Sequence, residues 1–150
     1  METAGGIKIL FLALASWVIA TPAWAETIDI SDSHGGLVAA YEAQWAELAA
    51  RGVRIRMVGP CQSACTVLIG RIPRSRICVM PQARFGFHLA TAPSATEILW
   101  ETYPADIRTW ISRHGGLSWN LLWMQAPDTY RFFRKCQERD KIMRKPLSTG

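Results

Sequence analysis

The sequence predicts an α/β domain with a mostly parallel sheet flanked by helices. Three observations carry that prediction. Short apolar runs with strand character recur through the first two-thirds of the chain, and a run of helix formers separates the first two. A right-handed βαβ crossover is the compact way to join such strands. The length, 150 residues, suits one domain, and a composition that is 49% apolar and 19% charged suits a packed core rather than disorder.

"TIDIS" at residues 27–31 alternates as a strand does, and "DSHGG" then turns the chain. Residues 37–51, "LVAAYEAQWAELAAR", read as a helix that stops at Gly52. "VRIRMV" at residues 53–58 is a second strand, with Arg54 and Arg56 alternating with apolar neighbours. "SACTVLIG" is short and apolar enough for a buried helix, while "RICVM" and "FGFHL" bracket a Pro81 turn as two further strands. Ser94 and Glu97 have capping-box spacing ahead of "ILWETYPADIRTWISRHGG", a helix interrupted near Pro104 and stopped at Gly115. A last helix is expected after Pro127, through "DTYRFFRKCQERDK".

The first 25 residues stand apart. Lys8, an apolar run over residues 9–20 and the pattern Ala23-Trp24-Ala25 have the order of an export signal cleaved after Ala25. The run is shorter than the roughly 20 residues of a membrane span, so membrane association is expected only through this segment if it is left uncleaved. The expected organisation is a signal peptide at 1–25, the α/β domain at 26–145 and a frayed tail at 146–150. The expected location is periplasmic or secreted. In an oxidising compartment Cys61, Cys65, Cys78 and Cys136 can pair, with three connectivities open. No CxxC pair occurs, and His34, His88 and His114 lack zinc-ligand spacing to the cysteines, so no metal and no cofactor is expected. The net charge of +5 gathers near the end of the chain, from Arg131 to Lys145, and reads as a solvated face rather than a nucleic-acid surface.

Ser63 stands between two cysteines in "GPCQSACTVLIG", where a strand should give way to a helix. Serine there commonly caps the helix, its oxygen accepting a backbone N–H. The same place offers unpaired N–H donors that would stabilise an oxyanion. His88 closes the apolar "PQARFGFH" strand, where an imidazole is an unusual choice and a base for Ser63 would be well placed. The Gly35-Gly36 pair lets the backbone approach a bound acyl group and present an N–H, which with that of Ala64 would form a two-donor oxyanion hole. A cysteine nucleophile, Cys61 or Cys65 with its pKa lowered at a helix start, is the rival chemistry.

The order G-G, then C-x-S-A-C after a strand, then P-Q-A-R-F-G-F-H resembles the Clp peptidase branch of the Clp/crotonase superfamily, and an exported bacterial subgroup of it. The similarity runs over residues 28–90, with 27 residues from Gly36 to Ser63 and 25 from Ser63 to His88. It implies Ser63 as nucleophile, His88 as general base, and Gly36 and Ala64 as oxyanion donors. Asn120, Asp128, Asp140 and Asp106 remain open as the group that orients the histidine. On this reading a Cys61–Cys78 bridge would staple the two catalytic segments, with Cys65–Cys136 as the complementary pair.

The function implied is acyl transfer by an exported serine peptidase acting on a peptide or protein, with a homo-oligomer allowed. No ATPase partner is expected, because ATP is scarce outside the cytoplasm. The alternatives are a non-catalytic binding or scaffold protein that keeps the fold without a complete triad, and a crotonase-like acyl-thioester enzyme needing coenzyme A.

Overall fold

The computed structural model describes residues 26–141. The expected signal peptide and the expected tail at 146–150 lie outside the described residues.

Three times the chain runs along one sheet, bends, continues along a second and leaves in a helix or turn. Strand β1 (Thr27–Ile30) passes to a bridge at Ser33 and then helix α1 (Val38–Ala50). Strands β2 (Arg54–Met57) and β3 (Pro60–Gln62) lead into a 3-10 turn at Ser63–Val67 and helix α2 (Leu68–Arg71). Strands β4 (Ile77–Val79) and β5 (Arg84–Phe87) lead to helices α3 (Pro93–Thr102) and α4 (Ala105–Arg113). The chain closes with β6 (Leu122–Gln125), α5 (Thr129–Phe132), β7 (Arg134–Lys135) and a 3-10 turn at Glu138–Lys141.

The strands form two sheets, ordered β1-β2-β4-β7 and β3-β5-β6. Every pairing is parallel except β5 with β6. The expected α/β class with a mostly parallel sheet is therefore what the chain adopts, with the strands divided between two sheets rather than one. The bend from β2 into β3 falls at Gly59, where a Cβ would lie 1.9 Å from the Ser31 carbonyl oxygen. A side chain there would push the two strands apart. The bend is possible because that residue is glycine.

Packing explains the alternation in β2. Ile55 and Met57 are buried in the core. Arg56 is buried too, 8% exposed, but it faces Asp29 on β1 and pairs with it through Nε at 2.8 Å and Nη2 at 2.5 Å. A cross-strand pair of opposite charge thus satisfies a group that would be costly to bury alone. Helix α1 contributes Trp45 and Leu48 to the core, and Phe85 and Phe87 on β5 reach it from the second sheet. Each such fully buried apolar side chain contributes roughly 1.5–3 kcal/mol, which makes β5 a rigid support for whatever follows Phe87.

Two local expectations need correcting, and one strand goes unanticipated. Helix α3 begins at Pro93 with Ala92 as its N-cap and no side-chain cap, so Ser94 and Glu97 form no capping box. Thr96 Oγ1 accepts from the Ala90 N–H instead. The long final helix is replaced by one turn of helix, then β7 beside β4 and the 3-10 turn. Backbone pairing with β4 overrides the helix-forming sequence there. "LWMQ" is a strand, β6, whose antiparallel partner β5 supplies its hydrogen bonds.

Candidate active site

The site grows from one row across the second sheet. Ser33, Cys61 and Phe85 are register partners, Ser33 through an isolated parallel bridge and Phe85 through the β3–β5 ladder. The Ser33 N–H donates to the Pro60 carbonyl at 3.0 Å, and the Gln62 N–H donates to the Ser33 carbonyl at 2.9 Å. The ladder ends at Gln62 and Gly86, one residue before Ser63 and two before His88, so the serine turn and His88 leave the sheet from neighbouring parallel strands. Neighbouring segments in a sheet are about 4.8 Å apart. Segments far apart in sequence, "DSHGG", "CQSAC" and "FGFH", therefore end side by side.

Ser63 occupies the turn itself. Its φ is +55, in the left-handed region that few non-glycine residues visit. Gln62, not Ser63, is the N-cap of the 3-10 turn, and no side chain caps that turn. The hydroxyl of Ser63 makes no hydrogen bond among the described residues, so it is not spent on capping. Its carbonyl accepts from Thr66 Oγ1 at 2.6 Å, and Thr66 Oγ1 in turn accepts from the Tyr103 hydroxyl at 2.6 Å. Both side chains are buried, and burial pushes the Tyr103 hydroxyl pKa up, so it remains a donor.

Gly35 explains why the loop after β1 carries glycine. Its φ is +80, and a Cβ there would lie 2.7 Å from both Gln62 O and Ser63 Cβ and 2.9 Å from Ala64 N. The backbone of that loop thus rests directly on the serine turn. Gly36, the next residue, has room around it, with only Tyr41 Cε2 near, at 3.5 Å.

His88 follows the last residue of β5 and is half-buried. Its ring makes no hydrogen bond to Ser63 or to a carboxylate among the described residues. Of the four groups open as its orienter, three are engaged elsewhere. Asp106 takes both guanidinium nitrogens of Arg74 at 2.5 Å, and that bond holds its carboxyl below the usual range. Asp140 is clasped by Arg134 at 2.8 Å through both oxygens, which lowers its pKa to about 2. Asp128 accepts from Trp110 Nε1 at 3.1 Å and lies 4.0 Å from His114 Nε2. His114 itself stacks on Trp110 at 4.1 Å and belongs to that cluster.

Asn120 differs in position. Phe87 pairs with Leu122, and the Leu89 N–H donates to the Ser118 carbonyl at 2.8 Å. The segment carrying Asn120 therefore runs antiparallel alongside His88. Sequence comparison alone could not place it, because the strand character of "LWMQ" and its partner were both unread.

The cysteines pair differently from the expected staple. Cys61 bonds Cys65, and Cys78 bonds Cys136, leaving no free cysteine among the described residues. The physical reason is direction. Cys61 pairs in register with Phe85 across β3 and β5, whereas Cys78 lies in the other sheet beside Arg134 of β7. With all four sulfurs in bridges, the cysteine-nucleophile alternative has no thiol to use. Cys78, Cys136 and Asp140 also cluster, but two bridged sulfurs are not available as thiolate ligands.

A scan against protein-family models finds no match to this chain, and a search of curated proteins returns none. Among solved structures, the chain is similar to a ClpP1 mutant from Listeria monocytogenes, with a TM-score of 0.51 and 19% sequence identity, covering 76% of this chain and 74% of that one. The likeness establishes a Clp protease-like fold.

Proposed function

We propose that this protein is an exported serine hydrolase, a Clp-like peptidase that acylates Ser63 with His88 as general base. The observation that carries the reading is the turn at Ser63. Its hydroxyl, without a hydrogen bond among the described residues, stands in a left-handed turn that follows β3, the strand beside the one that leads to His88, and the Gly35 backbone rests against that turn. In the reaction, His88 takes the hydroxyl proton as the Ser63 oxygen attacks the substrate carbonyl. The N–H groups of Gly36 and Ala64 receive the oxyanion, and the leaving amine recovers the proton from His88. Water then repeats the sequence to release the acid. Asn120, an amide in place of a carboxylate on the segment that runs antiparallel beside His88, would orient the imidazole.

A peptide substrate is supported by what surrounds the site. Leu37, 75% exposed, follows Gly36, and Trp119, 71% exposed, precedes Asn120. Apolar side chains presented on both flanking loops suit an unfolded peptide more than a small polar ester. Export is supported by the two disulfides, which fit an oxidising compartment, together with the signal-like residues 1–25. The mass of the protein recovered from an extracytoplasmic fraction tests cleavage after Ala25.

The scaffold reading has its own observation. No described carboxylate bonds to His88, so the imidazolium would lack a charged partner. A fluorophosphonate probe decides between the two. The hydrolase reading expects labelling at Ser63, none in Ser63→Ala, and labelling about 10²–10⁴-fold slower in His88→Ala. An unlabelled wild-type protein across neutral to mildly alkaline pH would leave the scaffold.

A further inference from the structure

Ser63 is the non-glycine residue with positive φ among the described residues, and something must hold it there. The Cys61–Cys65 bridge brackets it symmetrically, two residues on either side, with a Cα–Cα distance of 5.4 Å. Both cysteines are fully buried. Cys61 sits in the ladder row that joins Ser33 to Phe85, while Cys65 sits inside the 3-10 turn. The bridge therefore fastens the turn to the sheet. Between those anchors Ser63 takes its left-handed φ.

A bridge closing so short a loop removes little freedom from the unfolded chain, so its stabilising effect is the smaller of the two. Its position is what distinguishes it. The Thr66 and Tyr103 hydrogen bonds fix the Ser63 carbonyl from the core side, but neither reaches the strand that precedes the serine. The Gly35 backbone packs against both sides of the serine, and the sulfur bridge is what joins them covalently.

We propose that the Cys61–Cys65 disulfide is a positioning device for Ser63, and that the reactivity of Ser63 is switched by its redox state. The proposal rests on the reading of Ser63 as the nucleophile. In the oxidised protein the hydroxyl is held toward the histidine. Because both sulfurs are buried, a dithiol reductant reaches the bridge when the turn opens locally, and then delivers two electrons and two protons, giving two thiols and its own cyclic disulfide. The elbow then relaxes toward ordinary φ and the hydroxyl leaves its place. Reoxidation by a protein disulfide of the oxidising compartment reverses the exchange. A chain whose bridge has not yet formed would be inert toward acyl groups, wherever it was made.

The test compares fluorophosphonate labelling rates of wild type, Cys61→Ala/Cys65→Ala and Cys78→Ala/Cys136→Ala, read well below each unfolding midpoint. The expected result is a rate at least about tenfold lower in the first pair of substitutions and unchanged in the second. The pH midpoint of labelling should stay where it is while the plateau falls, because geometry is lost and the base is not. A wild-type protein that never labels removes the nucleophile reading itself. A wild-type protein that labels, matched in rate by Cys61→Ala/Cys65→Ala, removes this proposal and leaves the nucleophile in place. If that variant lacks a native circular dichroism spectrum, graded dithiol reduction of wild type decides. Labelling should fall in step with Cys61–Cys65 reduction measured by peptide mapping, and return on reoxidation. Labelling that persists once that bridge is reduced overturns the switch.

Discussion

The two disulfides divide the work of holding this molecule together. Cys61–Cys65 joins residues four apart in sequence, around the serine turn, while Cys78–Cys136 joins residues 58 apart and ties β4 to the chain beyond β7. In the loop-entropy account, closing a loop that short contributes about 2 kcal/mol and closing the long one about 4 kcal/mol. The long bridge should be the stabilising one. The short bridge stands at the site, and its value is geometric. Covalent chemistry is the same in both; what differs is how much unfolded chain each constrains and what lies inside the loop.

The comparison can be broken most directly at the long bridge. Cys78→Ala/Cys136→Ala should lower unfolding stability by about 4 kcal/mol in urea titrations while leaving Ser63 chemistry intact. Cys61→Ala/Cys65→Ala should cost about 2 kcal/mol in the same titration. Equal losses would mean that loop length does not separate the two. A smaller effect is expected from Tyr103→Phe, which deletes the hydroxyl that donates to Thr66 Oγ1. That hydrogen bond should be worth about 1 kcal/mol, and the variant should slow labelling less than loss of the short bridge does.

The smallest effect is in acid. The Arg134–Asp140 clasp lies next to the Cys136 end of the long bridge. Asp140 has its pKa lowered from 3.8 to about 2, with the Arg134 hydrogen bond as the leading cause. A depressed carboxyl contributes stability that is complete above its unfolded pKa and disappears as pH falls through the folded one. Protection from hydrogen exchange, relative to the intrinsic rate at each pH, should therefore fall in the chain after β7 between about pH 4 and pH 2, while the Ser63 turn, which has no such ion pair, should keep its protection in that window.

Much of the site was readable in one dimension because its parts are local. The strand "VRIRMV" upstream of Ser63, the apolar strand leading to His88 and the glycine pair after β1 each declare themselves through residue type and alternation over a few positions. Gly35 in particular could be anticipated, since only a residue without a Cβ can press against Ser63 and Ala64. The segment beside His88 was not readable. Residues 118–122 run there because β6 pairs antiparallel with β5, and nothing in the short run "LWMQ" names its partner.

By itself, then, the sequence determined the α/β class and the order of the elements up to α4, apart from the short strand β3. Periodicity and turn chemistry act over a few residues, and those are written in the chain. Only the tertiary structure decided that Cys61 reaches Cys65 rather than Cys78, that the strands split into two sheets at Gly59, and that the expected last helix gives way to β7. Each of these depends on which distant segments meet, and local preference loses to the backbone pairing and packing made when they do.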